Sequence, residues 1–431
     1  MDAGPDKTPQ HPDAAATLFR AARISVVLVL GLVALGGFIV GPLMGTGLGT
    51  GVTVKFGAMI ALALAIGFVQ FKHPGLALSV ALAPIPAVAL ALLISAQQAM
   101  PSRALLPAIF AYLLGFSTSL SLADGYVAEI VEGESVSAAV RADWRSQSPA
   151  IGAILVMGMI GPAILAFVGS PAGRPSVLLV VWANAASILC VLLAVPLAIS
   201  LWSYGEDFVA ETNRIREQWD RRLDLIANIV QPRWSWSATG ILAVFLALAV
   251  IGSANMRLTA ITKLTHAGAA AVGLCVLIAA ATMAAQAWSR ALALAAIAAG
   301  GLLLGCWGIA RAGAVLDTRL FLGALDLLAL LFAPLAVSAA NAARAVRDGD
   351  DIATASARAI ARKGPIAVVM AISGLVLLVP WYREVENERI GLALALTYSA
   401  VAVLVFLPAL TGVIDALVPR RRSIEDRYRL K

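Results

Sequence analysis

Asp326 is the residue of this sequence with the clearest potential for chemistry, because it is a carboxylate inside the apolar run "FLGALDLLALLF". An acid in the hydrocarbon of a membrane costs about 2.5 to 3.5 kcal/mol on insertion scales, so it needs a partner or a role. One role is a proton or cation site. The alternative is a position near the outer interface, since Arg319 lies about two helical turns before it, and Asp317 and Arg311 are also near in the sequence.

Uncharged polar side chains inside other apolar runs are candidates for contact with an ion or a substrate. They are Ser117, Thr118, Ser119, Ser121, Asn184, Ser338 and Asn341. The commoner use of such groups between helices is a hydrogen bond to a neighbouring helix, and both interpretations stay open. For Asp124 and Glu129, which follow the hydroxyl cluster, we expect a solvated pair at the membrane interface.

Prolines within apolar runs predict kinks, because each removes a helix hydrogen bond. Pro84 and Pro86 in "LAPIPAV" should kink the third run, and Pro334 is a further candidate. Such kinks can mark a gate, although most are static.

No arrangement of residues typical of an enzyme is present. His11, His73 and His266 lack metal-ligand spacing, and Cys190, Cys275 and Cys306 form no C-x-x-C pair. We expect the cysteines to pack as small hydrophobic residues. The glycine-rich "GTGLGTG" follows no strand and lacks the Lys-Ser/Thr of a phosphate loop. The sequence therefore predicts a protein without catalytic residues, metal or cofactor.

The composition shows which elements must position these residues. Hydrophobic residues form 60% of the 431 positions and charged residues 13%, where an ordinary soluble domain has about 25% charged residues. Twelve apolar runs have about the length that crosses a membrane as a helix. They span approximately 24–44, 52–71, 75–96, 104–123, 150–169, 176–200, 236–254, 267–287, 291–311, 320–340, 364–381 and 391–416.

The fold class that follows is an all-α polytopic membrane protein with about twelve transmembrane helices. Period-2 alternation is absent from the runs, which argues against a transmembrane β-barrel. The first run lacks a convincing A-x-A cleavage site, so we expect it to be a retained helix. Lys and Arg concentrate on the side that holds both termini, which predicts cytoplasmic termini and a bacterial inner-membrane location. This bias explains the basic pI of 9.6, so the pI does not indicate a protein that binds nucleic acid.

The chain contains an internal repeat with an offset of 216 residues. "EGESVSAAVRADWRSQSP" (132–149) and "DGDDIATASARAIARKGP" (348–365) both begin acidic-Gly-acidic and end in Pro. In each copy four residues at helical spacing predict a short amphipathic interfacial helix: Val136, Ala139, Val140 and Trp144, then Ile352, Ala355, Ser356 and Ile360. We expect Gly to end the preceding helix and Pro to open the next. The turn at 71–75 matches the region 288–290.

The repeat divides the chain into two six-helix halves of the same membrane orientation, that is, a 6+6 parallel repeat. The predicted segments are a disordered tail (1–20), a first membrane repeat (21–202), a cytoplasmic amphipathic linker (203–235), a second membrane repeat (236–418) and a basic tail (419–431). The linker is striped with Phe208, Ile215 and Trp219, which suits structural packing; partner binding is the alternative.

The order of these features resembles the membrane domain of the resistance-nodulation-division (RND) superfamily, including its MMPL-type transporters. The stretches that carry the resemblance are Leu114–Val140 and Asn341–Pro380, with their acidic-Gly loops and Pro entries. The likeness covers roughly residues 20 to 418. It implies a bundle of helices that works in transport.

Two features depart from that family. Its members carry large extracytoplasmic porter domains after the first and seventh spans, whereas the connections near 41–51 and 252–266 are too short to form a domain. Proton-driven members place acids in the middle of the fourth or tenth span. Here the matching regions are "FSTSLSL" and "APLAVSAA", without a carboxylate.

The resemblance implies a transport-related role for a hydrophobic or lipid-like molecule, with membrane lipids and a periplasmic or membrane protein as partners. The alternative is a non-transporting scaffold, assembly or lipid-sensing subunit. Replacing Asp326 by Asn should abolish driven transport and spare a scaffold's partner binding.

Overall fold

The protein is a bundle of long apolar helices. A computed structural model describes residues 50–97, 101–134, 136–160, 162–164, 174–202, 204–227, 232–254, 263–311, 318–350, 352–382 and 389–417. These residues contain no strand, and nine of their helices are long and apolar enough to cross a membrane. Two further apolar helices, Trp234–Leu248 and Gly273–Ala285, are shorter. The prediction of an all-α polytopic membrane protein is confirmed, while the predicted span 24–44 lies outside the described residues.

The first half and the linker contain seven described helices. They are α1 (Thr50–Phe71), α2 (Pro74–Leu82), α3 (Ile85–Gln97), α4 (Pro101–Val131), α5 (Val136–Leu155, extended by a π-helix at Val156–Ile160), α6 (Arg174–Ile199) and the linker helix α7 (Glu206–Ala227).

The second half contains seven more. They are α8 (Pro232–Ala254), α9 (Lys263–Ala285), α10 (Trp288–Arg311), α11 (Thr318–Arg347), α12 (Ile352–Leu377, followed by a 3₁₀ turn at Val379–Trp381), α13 (Arg389–Val401, extended by a π-helix at Ala402–Phe406) and α14 (Leu407–Leu417).

The turns that follow α4 and α11 confirm the repeat at atomic detail. Gly133 and Gly349 both have positive φ, +91° and +107°, a region that glycine reaches without a steric cost. In each turn three successive amides donate to carbonyls of the preceding helix, and every donor and acceptor is displaced by 216 residues. The donors are Glu132, Gly133 and Glu134, and Asp348, Gly349 and Asp350.

The turns after α1 and α9 form a second matching pair. Lys72 (φ 50°) and Gln286 (φ 53°) both end a helix in the left-handed conformation. Their amides donate to Phe68 O and Thr282 O, at 2.7 and 2.9 Å. The predicted match between 71–75 and the region of 288–290 is found, but with an offset of 214 residues instead of 216, since Lys72 corresponds to Gln286.

Packing between the halves is also symmetric. The long helices α4 and α11 contact each other at the centre. Beside them, α4 packs against α12, and the matching helix α11 packs against α5. Further out, α1 packs against α12, and the matching helix α9 packs against α5. Each contact has its counterpart with the halves exchanged, as a parallel repeat requires.

The two polar segments of the repeat are helical, but they do not form separate interfacial helices. α5 and α12 run without interruption through Pro149 and Pro365 into the membrane. The expectation that proline opens a new helix is wrong here, because neighbouring helices in a bundle can satisfy the backbone groups that an internal proline frees.

Pro84 interrupts the third predicted span as expected. α2 ends at Leu82 and α3 begins at Ile85. The equivalent helix in the second half, α10, is continuous. Pro334 lies inside α11, which also runs on without a break. Whether either site acts as a gate stays a prediction.

The linker helix α7 marks one end of the bundle, which we call the linker end. It is amphipathic as predicted, and it packs against α12. Glu211 of α7 pairs with Lys72 at 3.2 Å, and the hydrogen bond from Lys72 lowers the pKa of Glu211. Trp202 donates through Nε1 to Ser79 at the same end.

Five of the six exposed tryptophans among the described residues lie at this end. They are Trp144, Trp202, Trp234, Trp236 and Trp288, each at least 40% exposed, whereas Trp182 lies in the other part of α6. Tryptophan is enriched where a bilayer meets water. This arrangement places the linker end at a membrane interface.

Candidate functional site

A group of buried polar and charged side chains lies near the linker end, where the two halves meet. We call it the charged cluster, and it consists of Ser121 and Asp124 of α4, Asp143 and Gln147 of α5, and Lys363 of α12. All five have little access to solvent, with Asp143 5% exposed and Lys363 9%. Charged residues are seldom buried unless they are paired.

An ion pair within the cluster joins the halves. Lys363 Nζ lies 2.6 Å from Asp124 Oδ2, and the two side chains are only 11% and 16% exposed. The predicted solvated pair of Asp124 and Glu129 is therefore wrong for Asp124. It lies about two turns from the end of α4, on the face that α12 covers.

Gln147 organises the other half of the cluster. Its Nε2 donates to Asp143 Oδ1 at 2.5 Å and to the carbonyl of Ser121 at 2.9 Å. Its Oε1 accepts from Ser121 Oγ at 2.5 Å. Both amide protons are thus used, which fixes the amide and holds the Asp143 carboxylate in one position.

Gly125 makes room for the cluster. A Cβ atom at this position would collide with Asp143 Oδ1 and with Gln147 Nε2. The missing side chain lets α5 approach α4 closely enough for the carboxylate to be enclosed. The geometry of the cluster thus depends on a backbone contact as well as on its polar groups.

The charged cluster contains two carboxyl groups and one ammonium group. Asp124 pairs directly with Lys363, and Asp143 lies in the same buried group, where Gln147 holds it. With both carboxyl groups ionised, the cluster carries one net negative charge. A group of this composition can accept one proton or one monovalent cation and become neutral, at a joint between two packed halves.

A second ion pair crosses the same joint at the surface. Arg362 NH2 lies 2.9 Å from Glu132 Oε1, with side chains 60% and 51% exposed. Glu132 belongs to the first polar segment and Arg362 to the second. Both polar segments therefore lie at the same end of the bundle.

The hydroxyl cluster predicted from the sequence is fully buried in α4. Thr118 Oγ1 donates to Leu114 O at 2.8 Å, and Ser121 belongs to the charged cluster. The hydroxyls of Ser117 and Ser119 have no hydrogen-bond partner within the described chain. Their contact with an ion or substrate stays a prediction.

The remaining candidates do not converge on one place. Asn184 of α6 donates to Gly158 O at 3.0 Å, in the π-helix that follows α5, which is the hydrogen bond between helices foreseen as the commoner role. Ser338 is buried in α11 and Asn341 half-buried. Asp326 lies in α11, but its side chain lies outside the described residues, so its role also stays a prediction.

Sequence reasoning missed Asp143, Gln147 and Lys363. The stripe predicted for the first polar segment included Trp144, which is 45% exposed, whereas the buried face of α5 includes Ala139, Asp143 and Gln147. Two signals pointed to that face: the spacing of four between Asp143 and Gln147, and the repeat, which places Lys363 at the position of Gln147.

The sequence matches no protein-family model and no curated protein. Its fold is similar to that of SecDF, a translocon-associated membrane protein from Thermus thermophilus, with a TM-score of 0.58 and 12% sequence identity. The likeness covers 89% of this chain and 62% of SecDF, so the chain spans less than two thirds of that protein's length. This likeness shows the fold of a multi-helix membrane protein. The resemblance to the RND superfamily stays a prediction that this fold supports.

Proposed function

We propose that this protein works in the transport of a hydrophobic or lipid-like molecule, with uptake and release of a proton or cation at the charged cluster driving a rearrangement of its halves. The observation that carries the proposal is the unbalanced set of two carboxylates and one ammonium buried between α4, α5 and α12. Buried ionisable groups within membrane bundles are costly and typically mark ion or proton pathways.

The position of the cluster suits such a role. The Asp124–Lys363 pair joins the first half to the second, and Asp143 belongs to the same buried cluster. Neutralising one carboxylate would change the attraction that holds α12 against α4 and α5. A change of charge at a joint between two packed halves can trigger their relative movement.

A partner protein would supply the extracytoplasmic part. Only eight residues separate α8 from α9, and the matching connection in the first half is also short in sequence. Segments of that length do not form domains. This supports an MMPL-like arrangement without porter domains. An inner-membrane location with cytoplasmic termini is also part of the proposal, and it is supported by the excess of Lys and Arg on the side that holds both termini.

The proposal is tested with purified protein in proteoliposomes that carry a fluorescent phospholipid in one leaflet. We expect the labelled lipid to cross the bilayer faster than in protein-free vesicles, and faster again when a proton gradient is imposed. A sodium gradient at constant pH identifies a cation in place of the proton. Equal rates in protein-containing and protein-free vesicles under all three conditions would refute transport.

A scaffold or assembly subunit is the second candidate function. The middle of α4 carries Ser117, Thr118 and Ser119 where proton-driven transporters have an acid. The described side chains in the middle of α11 include no carboxylate either. The similarity to a translocon-associated protein is compatible with this alternative. A protein that moves no lipid but copurifies with a membrane complex from its own cell would support it.

A further inference from the structure

A small cavity opens at the linker end of the second half. It lies where the turn between α9 and α10 meets α11, α12 and α14. Its volume is about 20 Å³, which is enough for one water-sized group, and it opens partly to the surface. Arg290, Ser338 and Ser356 contribute its polar lining, and Leu407 part of the apolar wall.

Two serine hydroxyls line this cavity. Ser338 is 3% exposed and Ser356 5%, and neither side chain hydrogen-bonds to any of the described residues. Thr411, which also lines the cavity, instead donates to Leu407 O at 2.6 Å. Because both serines line a cavity that opens partly to the surface, their hydroxyls can donate to an acceptor that enters from outside.

The repeat shows that the cavity is particular to the second half. At four lining positions the second half has small side chains or hydroxyls where the first half has larger or charged ones. Ser338 corresponds to Leu122, Ala342 to Tyr126, Ser356 to Val140 and Ala359 to Asp143. The common fold therefore does not require an opening here, and these residues create it.

The positive charge at the cavity is also particular to the second half. Arg290 lies in the first turn of α10 and lines the opening. The corresponding turn of the first half begins Pro74-Gly75-Leu76, with no charge. There the ring of Trp202 lies so close to Gly75 that a Cβ atom would clash with it.

We propose that this cavity binds the phosphate-type group of an anionic lipid headgroup. The two hydroxyls would donate to one inserted oxygen. Arg290 already interacts within the chain, and its guanidinium carries five N–H donors, so it would bind the group at the mouth in addition to that interaction. The neighbouring Trp288, 69% exposed, places the opening at the level where headgroups lie. Basic pockets between transmembrane helices are suited to such headgroups. The proposal of a lipid site does not depend on the proposed transport function, and it applies equally if the protein is a scaffold.

The test is a thermal-shift titration of the detergent-solubilised protein with short-chain phosphatidylglycerol. Parallel titrations use short-chain phosphatidylcholine and inorganic phosphate. Ligand that binds only the folded state raises the unfolding midpoint in proportion to its affinity. We expect phosphatidylglycerol to raise the midpoint most. Arg290→Gln should weaken its apparent affinity by about tenfold or more, as expected for loss of a charged hydrogen bond.

Two further variants replace lining residues of the cavity by their counterparts in the first half. They change no charge, so they test the site independently of Arg290. Ser356→Val and Ala342→Tyr should both remove the phosphatidylglycerol response, and Ser356→Val is the smaller change should the tyrosine not be accommodated. Arg311→Gln, which removes an exposed arginine from the other end of α10, is the matched control and should respond as the wild type does.

Three results would overturn the proposal. One is an unchanged phosphatidylglycerol response in both Arg290→Gln and Ser356→Val. The second is an equal response to phosphatidylcholine, since that lipid has no net charge. The third is an equal response to inorganic phosphate, which would identify a free-anion site in place of a lipid site.

Discussion

Replacing Lys363 with methionine is expected to destabilise the folded protein by about 3 to 5 kcal/mol, the usual loss when one partner of a buried ion pair is removed. The variant leaves Asp124 and Asp143 close together without a cation, and both are shielded from water. Methionine fills most of the space of the lysine stem, so lost packing contributes little. The measurement is equilibrium unfolding of the protein in bicelles.

Arg362→Met is the matched control for that variant. Arg362 is adjacent in sequence and also pairs with a first-half carboxylate, but its pair with Glu132 is exposed. Exposed pairs contribute about 0 to 1 kcal/mol. The account is contradicted if the two variants lose equal stability.

The Asp124→Asn variant adds a graded comparison. It removes the charge that pairs with Lys363 but leaves an amide oxygen that can still accept a hydrogen bond from the ammonium. Its loss of stability should therefore be smaller than that of Lys363→Met, because the buried ammonium keeps a hydrogen-bond acceptor.

Asp143→Asn is expected to abolish the gradient-driven part of lipid transport. The asparagine oxygen can still accept the hydrogen bond from Gln147 Nε2, so the packing of α5 against α4 should survive. The side chain can no longer take up or release a proton. In the proteoliposome assay the rate should fall to that of the wild type without a gradient, while stability is retained or slightly increased because a buried charge is removed.

Glu132→Gln serves as the control for this prediction. It neutralises another carboxylate at the same joint, but one that is half exposed. Its gradient response should match that of the wild type. If Asp143→Asn keeps the full gradient response, the charged cluster is not the coupling site, and Asp326 becomes the next candidate.

Much of the architecture follows from the sequence because it depends on patterns that repeat. The lengths of the apolar runs place the helices of the described residues, with Pro84 interrupting the third run. The 216-residue offset predicts matching turns, and Gly133 and Gly349 have the same backbone conformation. Positive φ after a helix is a local property, so sequence alone can indicate it.

The site was harder to predict because it depends on which face of α5 is buried. Apolar residues such as Trp144 suggested one face, yet a membrane interface tolerates an exposed tryptophan. The buried face includes Asp143 and Gln147 because α4 supplies Ser121 and the space at Gly125. That partnership joins residues on different helices, and the Asp124–Lys363 pair joins residues on different halves.

The central claim is that the two halves lie parallel, with their polar segments side by side at the linker end. Its most direct test is a cross-link between Glu132→Cys and Arg362→Cys, made with a short bismaleimide in intact membranes. The three native cysteines are replaced by alanine, and a protease site is inserted between α7 and α8. A Glu132→Cys and Arg311→Cys pair is the control.

After cleavage of the linker, the Glu132→Cys and Arg362→Cys protein should run as one cross-linked species on a denaturing gel, while the control separates into two fragments. Separation of both proteins into fragments, or cross-linking of the control pair alone, would contradict the parallel arrangement of the halves.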